Sequence, residues 1–125
     1  MSKTTVAKQN RKRGKNVERA IAKQVDGKRI GVLGKEDISH SLFSIETKGR
    51  KKFVATSWIE QAYRNAPKDE DGNLLKIPCI IVHVHHQRYD NSIVGIELKY
   101  WKLIQKKLAQ FGINTIDDLK EVSSE

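Results

Sequence analysis

An α/β domain with a mixed central β-sheet flanked by helices is the fold class this sequence predicts, and three observations predict it. Apolar residues at steps of three and four, Val17, Ala20, Ile21 and Val25, mark a helix near the start of the chain. Short runs with period-two alternation follow, at 29–33 and 38–49. A second helical pattern then precedes the most apolar stretch, Ile77 to His85, which reads as a buried central strand. The resulting order is α-β-β-β-α-β-β-α, carried by 125 residues, enough for one packed core.

Each element has a local reason. Residues 1–14 carry Lys3, Lys8, Arg11, Lys12 and Arg13 with no acid and almost no large apolar side chain, so they read as a flexible basic arm ahead of a single domain over 15–125. The first helix runs from Lys15 to about Gln24, with Gly14 before it and Asp26-Gly27 at its end. At about 100° per residue Glu18 falls roughly 20° from Val25, so it flanks the apolar stripe and is oriented toward the domain body. Taken alone, a glutamate there is most simply a snorkelling or ion-paired side chain. Arg29 to Leu33 is a short strand bounded by Gly27 and Gly34. Ile38 to Gly49 reads as a strand pair or one long bent strand, turning at Ser39-His40-Ser41. Alternation there puts Leu42, Ser44, Glu46 and Lys48 on one face, and Phe43, Ile45 and Thr47 on the other.

Ser57-Trp58-Ile59-Glu60 has the form of a capping box opening the second helix, whose stripe is Ile59, Ala62, Tyr63 and Ala66 and whose stop is Pro67. The loop 68–76 holds Asp69, Asp71 and Asn73, but the twelfth position from Asp69 is Ile80, where a calcium loop needs a bidentate glutamate; it reads as a hairpin-like connection turning at Gly72. Cys79 is expected as a small core hydrophobe in the central strand. Ser92 to Leu98 is a further strand, and Tyr100 to Phe111 a helix with Trp101, Ile104, Leu108 and Phe111 inward. Gly112 ends that helix, and Thr115 caps a short terminal turn or helix.

Composition removes several function classes. A single cysteine excludes an internal disulfide framework, no apolar run has the length of a membrane span, and the first residues lack the apolar stretch of a secretory signal. A reducing cytoplasm is therefore the expected compartment. There is no nucleophile elbow, no phosphate-cradling glycine loop and no CxxC pair. His83 and His85 share a face in a strand, yet no Cys, Asp or Glu lies at a spacing that closes a tetrahedral zinc set, so His83, His85 and His86 read as a polar rim or nucleic-acid contact.

Charge is unevenly placed. Residues 1–53 hold 15 Lys/Arg against 5 Asp/Glu, and residues 54–125 hold 9 against 10, so the positive excess lies entirely in the first part. That part also holds Asp37 and the triplet Glu46-Thr47-Lys48. An acid followed by a short strand ending Glu-x-Lys has the spacing of a two-carboxylate site for a hard divalent cation. Mg²⁺ takes oxygen ligands and keeps several waters, so two carboxylates suffice when a phosphate completes the shell. A lysine beside them can orient an attacking water or neutralise developing charge. Cations gathered around carboxylates fit a site that draws in a polyanion, and the chemistry implied is phosphodiester hydrolysis.

The run Arg13-Gly14-Lys15-Asn16-Val17-Glu18-Arg19, with Asp37 opening a strand and Ile45-Glu46-Thr47-Lys48 closing one, resembles the PD-(D/E)xK nuclease superfamily, and within it the small archaeal-type Holliday junction resolvases, including viral forms. The resemblance covers about residues 11–52; from 53 to 100 it extends only to the order of elements. It implies a restriction-endonuclease-like core, α-β-β-β-α-β. It implies that Asp37 and Glu46, with the Thr47 carbonyl and Glu18, hold Mg²⁺ (Mn²⁺ substituting), and that Asp37, Glu46, Lys48 and Glu18 form the catalytic set. Lys12, Arg13, Lys15, Arg19, Arg50, Lys51 and Lys52 would contact DNA, a four-way junction cut by a homodimer, with no membrane partner. Two departures stand out: Glu36 replaces the proline that usually precedes the aspartate, and Gln61 is followed at position 65 by asparagine in place of tyrosine. The alternatives are a nuclease on flaps, nicks or duplex DNA, and a non-catalytic nucleic-acid-binding module.

Overall fold

A long basic helix opens the structure. In the computed structural model, which describes residues 3–30 and 37–121, α1 spans Lys3–Gln24. The helix thus begins at Lys3, where the sequence pattern placed its start at Lys15. The physical reason is that a helix closes its hydrogen bonds within itself. Ala, Lys, Gln and Arg, frequent between residues 7 and 13, are good helix formers, and propagation from an existing turn adds one bond per residue ordered. Lack of burial therefore does not forbid helix: residues 4–16 are exposed and still helical.

At its other end α1 stops at the predicted Asp26-Gly27. Asp26 takes the left-handed conformation at φ 55, which a short polar side chain tolerates. Gly27 N then donates to Ala22 O at 2.9 Å, the closing bond of a Schellman turn.

Two compact units carry the fold: Met1–Lys51 with Leu108–Glu125, and Lys52–Lys107. Residues 15–125, read from the sequence as one domain, fall in both. In the first unit, β1 (Lys28–Arg29), β2 (Ile38–Ser39) and β3 (Ser44–Ile45) form an antiparallel sheet in the order β1-β2-β3. The register pairs Arg29 with Ile38 and Ile38 with Ile45, so these three side chains share one face of the sheet. Ile38 is fully buried, beside Ala22 and Val25. Gly27 is required here: a Cβ on it would lie 2.5 Å from Ile38 Cγ2 and 3.0 Å from Ser39 O. Arg29, too polar to bury alone, reaches Glu18 of α1 at 2.9 Å.

In the second unit α2 spans Ala55–Asn65. Ile59, Ala62, Tyr63 and Ala66 are its half-buried positions, as the spacing predicted. The expected capping box is absent, because Val54 is already helical and Ser57 lies inside the first turn. Its Oγ donates to Val54 O at 2.9 Å. Ala66 is extended ahead of Pro67, as the proline ring demands. The 68–76 connection is the expected hairpin, with Lys68 bridged to Leu74 and Gly72 at φ 83. Strands β4 (Ile80–Val82) and β5 (Ile93–Gly95) pair antiparallel.

All strand pairing among the described residues is antiparallel and falls into two small sheets, where the sequence predicted one mixed central sheet; the class is mixed α/β. The stretch Ile77 to His85 is correspondingly not a buried central strand. It contributes three strand residues, Ile81 is 67% exposed and Cys79 is exposed rather than in a core. Apolar content promised two covered faces, but a strand in a two-stranded sheet has one neighbour.

Helix α3 spans Leu98–Gln110 and ends in a Schellman turn at Gly112, and α4 spans Ile116–Lys120 behind the predicted Thr115 cap. Trp101 and Leu108 are half-buried, but Ile104 and Phe111, expected inward, are exposed. Periodicity identifies the apolar face of a helix without naming what covers it. No helix among the described residues is long and apolar enough to cross a membrane.

The two glycines of α1 and its exit have opposite expectations. Gly27→Ala overpacks Ile38 and is expected to destabilise the chain by about 1–3 kcal/mol. Gly14→Ala, where a Cβ meets nothing within 4 Å, is expected to stabilise it by about 0.5–1 kcal/mol. Urea unfolding of the two variants beside the parent reads both signs.

Candidate functional site

The β2–β3 hairpin is built around its turn. His40 Nδ1 accepts from the backbone N–H of Leu42 at 3.0 Å and of Phe43 at 3.4 Å, closing the four residues between Ser39 and Ser44. Fixing this turn fixes the register. One residue beyond the pair Ile38 and Ile45 stand Asp37 and Glu46, just past the ends of the two strands.

Asp37 N donates to Ile45 O at 3.1 Å. Asp37 Oδ2 accepts from Thr47 N at 2.8 Å and from Thr47 Oγ1 at 3.3 Å. Thr47 N belongs to the Glu46–Thr47 peptide, so the Asp37 carboxylate is clamped to the backbone between the glutamate and the lysine of the triplet. A carboxylate has about four lone-pair sites, and this clamp leaves Oδ1 as a potential ligand.

Alternation holds beyond β3, although residues 46–50 make no ladder. Thr47 is half-buried while Glu46 and Lys48 are exposed. Lys48 Nζ lies 2.9 Å from Glu46 Oε1, with both side chains more than half exposed. The structure therefore brings Glu46 and Lys48 to one side, as the pattern predicted. Such an exposed pair is worth about 0–1 kcal/mol, so it opens readily toward another charged partner.

Glu18 has a different partner. Its Oε2 accepts from Arg29 Nε at 2.9 Å, and the two side chains are 22% and 27% exposed. No three His, Cys, Asp or Glu side chains cluster closely enough to hold a metal ion among the described residues, so Glu18 does not complete a three-carboxylate set with Asp37 and Glu46. Glu36 lies outside the described residues. The carboxylate oxygens of Asp37 and Glu46 are hard donors of the kind that suits Mg²⁺ completed by phosphate and water.

Beside the triplet runs a groove of about 700 Å³, lined by Asn10, Arg13, Gly14 and Val17 of α1 and by Thr47 to Lys51. Arg13, Lys48, Arg50 and Lys51 are its cations, and no acid lines it. Gly49 lets the strap approach the helix, since a Cβ there would sit 3.0 Å from Val17 Cγ2. Of the predicted DNA contacts, Arg13, Arg50 and Lys51 meet in this groove, while Lys12, Lys15 and Arg19 line a separate shallow surface of α1 with Lys8 and Arg11. Lys52 is exposed at the start of the second unit. Sequence reasoning missed Asn10 as a site candidate and read Lys8 and Arg11 only as part of a basic arm. The signal for Asn10 was the three-and-four spacing running back from Val17 through Arg13, legible only once residues 3–14 are helical.

Two other polar clusters lie in the second unit. His83 Nε2 meets Gln87 O at 3.0 Å and the His83 ring stacks on Tyr89 with centroids 4.4 Å apart, so this histidine is occupied by its own loop. Gln61 is exposed on α2. The Tyr63 and Tyr100 hydroxyls are 3.1 Å apart, with Lys99 Nζ 5.5 and 5.3 Å from the two ring centres. The adjoining Glu97 carboxylate and the Tyr100 hydroxyl push the Tyr63 phenol up to about 12. That moves it away from neutral pH, the wrong direction for a nucleophile or base.

Double-mutant cycles on the two ion pairs are expected to separate them. The partly shielded Glu18–Arg29 pair should show a coupling of about 0.5–1 kcal/mol, and the exposed Glu46–Lys48 pair about 0–0.5 kcal/mol. In an ultraviolet titration Tyr63 should ionise near 12. Glu97→Gln should bring it down toward the ordinary tyrosine value, because the charge favouring the protonated phenol is gone. Comparison with known protein families, with curated proteins and with solved structures gives no match to this chain.

Proposed function

We propose that the chain is a Mg²⁺-dependent endonuclease that hydrolyses phosphodiester bonds in branched DNA, with the four-way junction as its substrate. One observation carries the reading: the Asp37 carboxylate is held on the Thr47 amide and hydroxyl, inside the Glu46-Thr47-Lys48 triplet whose Thr47 and Lys48 line a groove with four cations. The chain order of α1, the three-stranded sheet and α2 is read as the opening of a restriction-endonuclease-like core. Symmetric cutting of a junction needs two such sites about a two-fold axis, hence a homodimer.

The chain's own side chains supply most of the work. Asp37 and Glu46 would hold the metal. When bound, the ion supplies positive charge at the scissile phosphate and lowers the pKa of a coordinated water. Thr47 orients Asp37 through its N–H and hydroxyl. Lys48, released from its weak pairing with Glu46, orients the attacking water and offsets charge developing on phosphate. Arg13, Arg50 and Lys51 hold the backbone in the groove by charge, which positions DNA without reading its sequence. Glu18 acts at one remove, through the Arg29 pair that ties α1 to the sheet.

The test is cleavage of labelled four-way junction, flap and linear duplex in Mg²⁺ and in Mn²⁺. Paired symmetric nicks confined to the junction are expected. Asp37→Asn, which can still accept from Thr47 N and so keeps the fold, and Lys48→Ala should each lower the rate by about 10²-fold or more. Equal cutting of linear duplex would remove the junction from the reading. Tight DNA binding without cleavage in either metal would favour the non-catalytic binding module.

A further inference from the structure

Helix α1 carries cations on two sides. At about 100° per residue, the groove-lining Asn10, Arg13, Gly14 and Val17 centre about 180° around the helix from Lys8, Arg11, Lys12, Lys15 and Arg19. These five cations fall within an arc of about 100°, and over eleven residues they extend about 16 Å along the axis. That length matches the axial rise of four to five phosphates on one DNA strand, at about 3.4 Å each. All five are exposed.

Among the described residues no acid is paired with the outer face. Lys8–Lys12, Arg11–Lys15 and Lys15–Arg19 are like-charge pairs at i,i+4, each of which weakens a helix standing in water. A solvated face ordinarily mixes signs to avoid this. Glu18, the one acid of α1, is taken by Arg29. The repulsion is relieved when a polyanion lies along the face.

We infer that the outer face of α1 is a second phosphate-backbone site, which holds a second duplex arm of a branched DNA while the groove holds the arm bearing the scissile phosphate. A helix with its side chains is about 10–12 Å across, so α1 stands between two arms as a spacer. A single straight duplex reaches one side of it. The inference rests on the nucleic-acid reading above and gives the preference for branched DNA a physical basis in this chain.

Binding of the full chain is measured by fluorescence anisotropy without metal, so that cleavage plays no part. The probes are a four-way junction and a linear duplex with the sequence of one arm, over a range of salt. Lys8→Gln, Lys12→Gln and Lys15→Gln combined should weaken junction binding at least about tenfold and lower the slope of log K against log salt by about 2.7, for three phosphate contacts. The linear duplex should lose no more than about threefold, and Arg13→Gln with Arg50→Gln should weaken both DNAs. Glutamine keeps helix propensity, and circular dichroism verifies α1 in each variant. Equal loss on junction and duplex would overturn the inference, since both faces would then serve one duplex. Unchanged junction binding would overturn it as well, leaving the face merely solvated. A parent chain that binds neither DNA would instead sink the nucleic-acid reading on which the inference stands.

Discussion

Ile38 has no exposed surface, and the first unit is organised around that fact. Gly27 leaves out a Cβ so that the helix exit can close on it, Arg29 pairs beside it from β1, and Ile45 pairs beside it from β3. Successive side chains on a strand point to opposite faces. Half-buried Ile45 and Thr47 therefore share a face, and Glu46 between them turns to the exposed side with Lys48. Asp37, ahead of buried Ile38, is drawn to Thr47 by its hydrogen bonds, in a hairpin that the His40 turn holds.

Electrostatics then distinguishes what is structural from what is available. The Glu18–Arg29 pair is partly shielded and spans helix and sheet, so it acts as a fastening. Glu46 and Lys48 are exposed and weakly paired, and their charges are free to be redirected toward a ligand at little cost. No acid is among the residues lining the groove, and apart from the Lys48–Glu46 pair its cations set a positive field there. Exposed charges of this kind are screened within about 10 Å at 0.1 M salt, which makes salt the natural variable for studying this surface.

Much of the fold was legible because its signals are local. Asp26-Gly27, Gly72, Gly112 and Thr115 each meet a backbone requirement within a few residues, and each marks the stop, turn or cap expected of it. The face shared by Glu46 and Lys48 follows from period two alone. The failures have their own local or long-range causes. Ser57 has the right spacing for a cap, but the helix had already begun at Val54. Cys79 and Phe111 have apolar surroundings in sequence, yet both are exposed, because burial needs a second element to cover them. Residues 3–14 looked too polar to order, but a helix needs no core to satisfy its own backbone.

By itself, then, the sequence determined the order of elements, the spacing of Asp37 from Glu46-Thr47-Lys48, the shared side of the last two, and the concentration of positive charge around them. These follow from residue type and backbone periodicity, which act over a few positions. The tertiary structure decided three things: that Asp37 clamps the Glu46–Thr47 peptide, that Glu18 belongs to Arg29, and that the cations of α1 divide between a groove and an opposite face. Each depends on which residues distant in the chain meet, and that is set by the packing of Ile38 and Gly27 rather than by any pattern the chain displays.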